Sequence, residues 1–445
     1  MKQSLFLVLA FFAIKTGFSQ EVPSSFTLEE AINYALEHNY NAINADRDIE
    51  DARHQKWQTI ASGLPQIDGN ISYQNQLKQP VSLIPGELAG GDPGTFIPVV
   101  FGQAQTATAT ATLRQQIFDG SYIVGVQATK TFIDYSANNK EKTALDVRKS
   151  VVEAYGNVLL AEESTLILEK NKATLEKNLY ETNKIFENGL TEEENVEQLQ
   201  ITLSSVDSQL KNAIRLKKIT LQMLNLVMGL ETSHPTKLTE NLDLLTEQKI
   251  DVNILETNLN LESNVDYKII LNLNEQRALE LKLEKSRALP TLNAFINYGS
   301  SAFSDEFNFF KKETQWYDSS VLGFDLNIPI FSSLKRSATT QRAKIALEKA
   351  KTQKIEAEES LNLQWENAKS EYTLAIDQYQ TAKENLGLAE RIEKKNQIKY
   401  FEGIASSFDL RQAQTQLYST QQEYLQSMID VINKKTALEI ILNNE

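Results

Sequence analysis

Cysteine is absent from all 445 residues. That excludes a disulfide framework, a thiolate nucleophile, a thiolate metal site and a lipid anchor on an N-terminal cysteine. Histidine occurs only as His38, His54 and His234, too scattered to predict a metal centre. Four methionines in the whole chain give little support for a soft-metal relay. A basic excess is missing too. With 45 basic against 59 acidic residues the net charge is −14, which argues against a nucleic-acid partner. No glycine-rich phosphate loop occurs, and GELAGGDPG at 86–94 reads as a surface loop. No nucleophile, base and orienting group emerge together. The expectation is a protein without catalytic residues, cofactor or metal, and not an enzyme. Only 9 prolines and 17 glycines punctuate the chain, so its elements are expected to be long.

Beyond the N-terminus no stretch is apolar enough for a transmembrane helix. The first residues themselves combine Lys2, an apolar run at 5–14 and the small residues of Gly17-Phe18-Ser19. They read as a secretory signal peptide over 1–19, cleaved after Ser19. The alternative, a membrane anchor, asks that run to span a bilayer for which it is too short. A chain exported in this way can enter a membrane only as strands.

What is present is a duplication. Residues 64–73 read LPQIDGNISY and residues 289–298 read LPTLNAFINY, 225 positions later. Ile117-Phe118 matches Ile330-Phe331 at an offset of 213, and Gly189 in FENGLT matches Gly403 in YFEGIA at 214. Three landmarks in one order at nearly constant offset indicate an internal repeat, with an insertion in the first half.

Between the first two landmarks each half alternates with period two. Leu322, Phe324, Leu326, Ile328 and Ile330 oppose Gly323, Asp325 and Asn327. Ile67, Gly69, Ile71 and Tyr73 oppose Asp68, Asn70, Ser72 and Gln74, and an alanine–threonine alternation runs over 106–117. Only Phe295 breaks the polar side of the strand at 291–298. Such runs are half-buried strands, each about as long as a tilted membrane strand. Two hairpins of a soluble sandwich are the alternative, though two hairpins make a poor one. The remainder reads as helix. Proline-free stretches at 121–188 and 332–401 would reach roughly 100 Å each. Leu361, Trp365, Ala368, Tyr372, Ala375, Tyr379, Ala382, Leu386, Ala389 and Ile392 follow spacings of three and four, a seam for side-by-side packing.

The order helix, strand, strand, long helix, turn and helix, given twice, resembles the TolC family of outer-membrane efflux proteins. The residues carrying the resemblance are TLEEAINYALEHN (27–39), LPQIDGNISY, IFDG, NGLT, LPTLNAFINY, PIF (329–331) and EGIASSFDLRQAQ (402–414). The fold implied is mainly α with a membrane β-barrel: two structural repeats per chain, and a trimeric twelve-stranded barrel on a long α-helical barrel. The implied parts are a short helix at 20–63, a membrane hairpin with its outer loop at 64–119, and a long helix, tip turn and return helix at 120–230. An equatorial segment at 231–260 leads to a second short helix at 261–288, a second hairpin at 289–331 and a second helical arm at 332–445. The function implied is an exit duct in the outer membrane of a Gram-negative bacterium, its helices in the periplasm. Its partners would be a periplasmic adaptor and, through it, an inner-membrane transporter. A coiled-coil envelope spacer without transport activity is the alternative.

The resemblance also assigns residues. Leu322, Phe324, Leu326 and Ile328 would face lipid. Asn188, Gly189, Leu190 and Thr191, with Glu402, Gly403, Ile404 and Ala405, would form the tips that meet the adaptor. Asp409, six residues beyond Gly403, would ring the closed aperture, although its first-half counterpart is Asn195 and the place three residues further holds Gln412. A simpler reading competes at each place. Any helical hairpin suits a glycine turn, Ser406 and Asp409 fit a capping box, and Thr191 and Glu194 fit the same spacing.

Overall fold

The computed structural model describes residues 23–443; the expected signal segment lies outside the described residues. The chain opens with β1 (Ser25–Phe26) and helices α1 (Leu28–His38) and α2 (Tyr40–Ser62). Strands β2 (Gln66–Asn75), β3 (Val81–Pro85), β4 (Phe96–Val100) and β5 (Gln105–Phe118) follow. Helix α3 (Gly120–Glu187) turns into α4 (Glu193–Met228), and a connecting stretch carries β6 (Lys237–Leu238) and α5 (Leu242–Lys249). The second half gives α6 (Val265–Ser286), β7 (Thr291–Ser304), β8 (Trp316–Asn327), α7 (Lys335–Phe401) and α8 (Ser407–Leu442). The two long helices hold 68 and 67 residues, so the duplication is preserved in length as well as in order.

Two compact units result. One comprises the described residues up to Asp46, Asn139–Asp266 and those from Glu358 on; the other comprises Arg47–Asn138 and Tyr267–Ala357. The first is helical. Its core joins Phe26 and Leu28, Val151 and Tyr155, Leu224 and Met228, Tyr372 and Tyr379, and Met428 and Ile432. The heptad seam is buried at Leu361, Ala368, Tyr372, Ala375, Tyr379, Ala382 and Ala389, whereas Ile392 is exposed. Helix α1 begins where Thr27 and Glu30 form a capping box, which satisfies two donors that the first turn leaves free. One helix was expected over 20–63, and there are two. Asn39 breaks the run: its backbone is extended, its amide donates to the Val227 carbonyl, and its Oδ1 accepts from the Asn41 backbone.

The connecting stretch is fastened by buried tyrosines. Tyr372 Oη donates to the Lys249 carbonyl at 2.8 Å and accepts from the Asp251 N–H at 2.9 Å. Tyr155 Oη lies 3.0 Å from Glu240 Oε2, which also accepts from the Leu28 N–H at 2.7 Å. Burial raises the pKa of both phenols, so each stays a donor at any physiological pH. β1 pairs in parallel with β6 beside this network.

The second unit holds a four-stranded antiparallel sheet in the order β2-β5-β7-β8. The strands of the two repeats therefore meet at β5 and β7, leaving β2 and β8 as edges. A separate hairpin, β3–β4, stands in the β2–β5 connection, within a stretch read from sequence as loop. Pro85 and Pro98 disguise it. A two-stranded ladder has an unpaired side on each strand, where proline's missing N–H is tolerated. The repeats also differ where the sheet hands over to the long helices. Asp119 Oδ1 caps α3 by accepting from the Ser121 N–H at 2.7 Å. Before α7, β8 stops at Asn327, and Ser333 and Leu334 take left-handed φ values of 48° and 63°. Arg336 braces that turn by donating to the Pro329 and Ile330 carbonyls.

Candidate functional site

The register of the sheet decides which side chains share a face. Ile67 pairs with Leu113, Leu113 with Ile296, and Ile296 with Leu322. Ile71 pairs with Ala109, Ala111 with Tyr298, and Ala294 with Phe324. Cross-strand partners lie on one side of a sheet, so the apolar sets of four strands share one surface, broken by Ser300, Asp318 and Ser320. The opposite surface carries Asp68, Asn70, Thr110, Thr112, Asn297 and Asp325. Those polar groups bond to one another: Arg114 donates to Asp68 at 2.9 Å, and Asn297 Nδ2 to Thr112 Oγ1 at 2.8 Å.

Leu322, Phe324 and Leu326 stand on the apolar surface, 60–66% exposed. Ile328 continues their alternation one residue past the end of β8. Phe295, the misfit of the sequence pattern, has a local reason. It pairs with Gly323, and a β-carbon there would sit 2.4 Å from the Phe295 ring. The ring occupies the space that glycine leaves and shields its backbone. Proximity in sequence could not reveal this, because the partner lies across the ladder.

In the first unit, the turns between α3 and α4 and between α7 and α8 are built alike. Gly189, at φ 70°, donates to the Phe186 carbonyl, and Leu190 donates to the Ile185 carbonyl. Gly403, at φ 72°, donates to Tyr400, and Ile404 to Lys399. This is the Schellman termination, made twice. Leu190 and Ile404 are 78% and 70% exposed at its apex, beside Asn188 and Glu402, so each turn presents one bare aliphatic side chain.

The return helices start differently. Ser406 caps α8, with its backbone N–H and Oγ both bonding Asp409 Oδ2, at 3.0 and 2.7 Å, and Oγ accepting from the Asp409 N–H. Hydrogen bonds from Ser406 hold the exposed Asp409 carboxyl below the usual carboxylate range. In the first repeat the cap is Glu192, without a side-chain bond, and Asn195 donates instead to Thr191 Oγ1 at 2.8 Å. The expected Thr191–Glu194 box is thus not formed. The glycine-to-cap spacing of three residues makes Glu192 and Asn195 the counterparts of Ser406 and Asp409, one place further on.

Sequence reading also missed a polar layer near these turns. Asn171 donates to Gln421 at 2.8 Å, Gln397 to Asn178 at 2.9 Å, and Thr182 and Tyr400 lie 3.3 Å apart. Glu393, beside Gln414, is held above the usual carboxylate range by burial. The heptad pattern counts apolar positions and is blind to such pairs. Among the described residues no cluster of acids and histidines is placed to hold a metal ion, and no helix is long and apolar enough to cross a membrane.

Residues 271–444 match the model of the family described as outer membrane efflux protein. No curated protein matches the chain in sequence. Solved structures share the fold. The chain is 18% identical to the CmeC outer membrane channel of Campylobacter jejuni, with a TM-score of 0.71 over 96% of this chain and 90% of that one. For CusC, whose structures are described in terms of folding and transmembrane channel formation, the values are 16%, 0.72, 94% and 92%. For VceC of Vibrio cholerae, an outer membrane protein, they are 15%, 0.70, 93% and 95%. The second repeat thus matches the outer membrane efflux protein family, and the chain shares along nearly its whole length the fold of these solved outer-membrane proteins.

Proposed function

We propose that three copies of this chain close one twelve-stranded barrel and form the outer-membrane exit duct of a tripartite export system. The observation that carries this reading is the open four-stranded sheet with one predominantly apolar, exposed surface. In lipid every backbone N–H and C=O needs an internal partner, so such a sheet must close. Four strands are too few, because the smallest membrane barrels use about eight. The free edges β2 and β8 supply the pairing between copies. The absence of native cysteine makes the test clean: single cysteines on β2 and β8 of one chain, scanned over 68–74 and 317–323, should oxidise into covalent trimers in outer membranes. A soluble monomer recovered from cells would overturn the architecture.

The exposed apices suit docking to a periplasmic adaptor, with Asn188 to Thr191 and Glu402 to Ala405 as the contact. Photo-crosslinkers at Leu190 and Ile404 should capture the adaptor in cells with a working pump. Capture at neither position reduces these turns to helix terminations.

Asp409 fits a second role beyond its cap. Three copies about a threefold axis would concentrate charge at the narrowest point of the duct and attract cations. Like-charge repulsion there would raise carboxyl pKa values, against the lowering that Ser406 produces within one protomer. Asp409→Asn should lower cation preference in single-channel recordings and leave the trimer intact. Unchanged selectivity with a lower melting temperature would make Asp409 a cap only, with the constriction elsewhere.

A further inference from the structure

The β7–β8 connection, residues 305–315, does not project away from the sheet. Phe309 folds back onto the apolar surface and is buried against Ala107 and Ala302, themselves buried and directly paired across β5 and β7. Two alanines at the loop end of the strands leave room for one ring. Phe309 also meets Tyr73 of β2 edge-on at 5.8 Å, and Phe307 meets the same tyrosine at 5.3 Å. The loop is then locked to the neighbouring strands. Asp305 accepts from the Ala104 N–H at 3.0 Å, and Thr314 donates to the Asn308 carbonyl at 2.6 Å.

With Phe309 packed down, its neighbours Phe307 and Phe310 are left in the open with their rings 5.9 Å apart. Phe310 is 92% exposed and Phe307 60%. Lys311 and Lys312 follow at once, both exposed and neither in an ion pair with a carboxylate. Of the nearby acids, Asp305 is engaged by the Ala104 N–H, and Glu306 and Glu313 flank the segment. Bare phenylalanines are costly in water, and ammonium groups are costly in hydrocarbon. One environment satisfies both: the boundary of a lipid leaflet, where rings enter the acyl region and lysines reach anionic head groups. Tyr73, Ala107 and Ala302, on which Phe307 and Phe309 rest, belong to the same surface as Ile71, Leu113, Ile296 and Leu322, so these rings stand on the lipid side, while Asn308, Glu313, Thr314 and Gln315 line a cavity with Phe303 and Tyr317 of the opposite surface.

We propose that this loop is a docking element for a phosphorylated lipid of the outer leaflet, with Phe307 and Phe310 against its acyl chains and Lys311 and Lys312 on its phosphate. The inference rests on the barrel reading above and adds a ligand chemistry to it. The test uses the full trimer extracted in uncharged detergent and titrated with three probes: bis-phosphorylated lipid A, the same lipid with its phosphates removed, and inorganic phosphate. The phosphorylated lipid should raise the melting temperature most, and inorganic phosphate should not raise it. The double variant Lys311→Gln/Lys312→Gln should lose the phosphate-dependent part, weakening binding about fivefold per lysine. Phe310→Ser should weaken both lipids alike. Neither change touches a buried contact, so density-gradient fractionation should place both variants in the outer membrane with the wild type. Equal stabilisation by the two lipids, stabilisation by phosphate alone, or a double variant that keeps its preference would each overturn the proposal. A membrane-inserted trimer without phosphate preference sinks this inference alone; a wild-type chain that never enters the membrane sinks the barrel reading with it.

Discussion

Lysine at Leu322 should destabilise the assembled barrel by about 2–4 kcal/mol, and lysine at the adjacent Val321 should be tolerated. The two positions share a depth, near the middle of β8, and differ only in face. Leu322 pairs with Ile296 and Val321 with Asn297, so one lysine replaces a side chain on the apolar surface and the other enters a polar one. Phe324→Lys should behave like Leu322→Lys, and Asn327→Lys, on the polar side, like Val321→Lys. Urea titration of refolding into lipid vesicles reads the difference directly. Equal losses at 321 and 322 would show that the faces are assigned wrongly.

Much of this face was legible because a strand's period is two and the side chains of β2, β5, β7 and β8 obey it. Alternation alone could not say that four separate apolar sets belong to one surface. That needed the register, which places Leu113 between Ile67 and Ile296. The tip glycines were legible for a similar reason: a left-handed residue ending a helix has a strong preference for glycine. The features that escaped depend on partners distant in sequence. Phe295 is explained by Gly323 and the burial of Phe309 by Ala107, while Asn171 finds Gln421 across 250 residues. The slip at Thr191 has another origin. Two overlapping cap spacings were available, Thr191–Glu194 and Glu192–Asn195, and only the backbone shows which residue is extended at the cap.

Gly229→Ala should cost about 3 kcal/mol or more, while the same change at Gly189 should cost only about 1 kcal/mol. The backbone conformations are alike, with φ of 82° and 70°, so the left-handed penalty for an added β-carbon is common to both. Surroundings separate them. A β-carbon at Gly189 meets nothing within 4 Å, whereas at Gly229 it would lie 2.1 Å from the His38 carbonyl oxygen and 3.1 Å from the Asn39 nitrogen. Those are backbone atoms, and the neighbouring chain cannot move cheaply. Asn39 is bonded to Val227, and Leu28 at the head of the same helix is tied through Glu240 to Tyr155. Relief of the clash would pull α1 from the core of the first unit. Thermal melts of the two alanine variants in detergent should therefore diverge by several degrees, with Gly229→Ala also reducing the amount recovered from membranes. The functional consequences should run the other way. Gly189→Ala leaves a folded trimer whose apex is reshaped, so adaptor capture at Leu190 should fall in cells that still hold normal amounts of the protein. If both variants melt together, the close approach of α1 to the end of α4 is not a feature of the folded protein, and Gly229 is constrained by its turn alone.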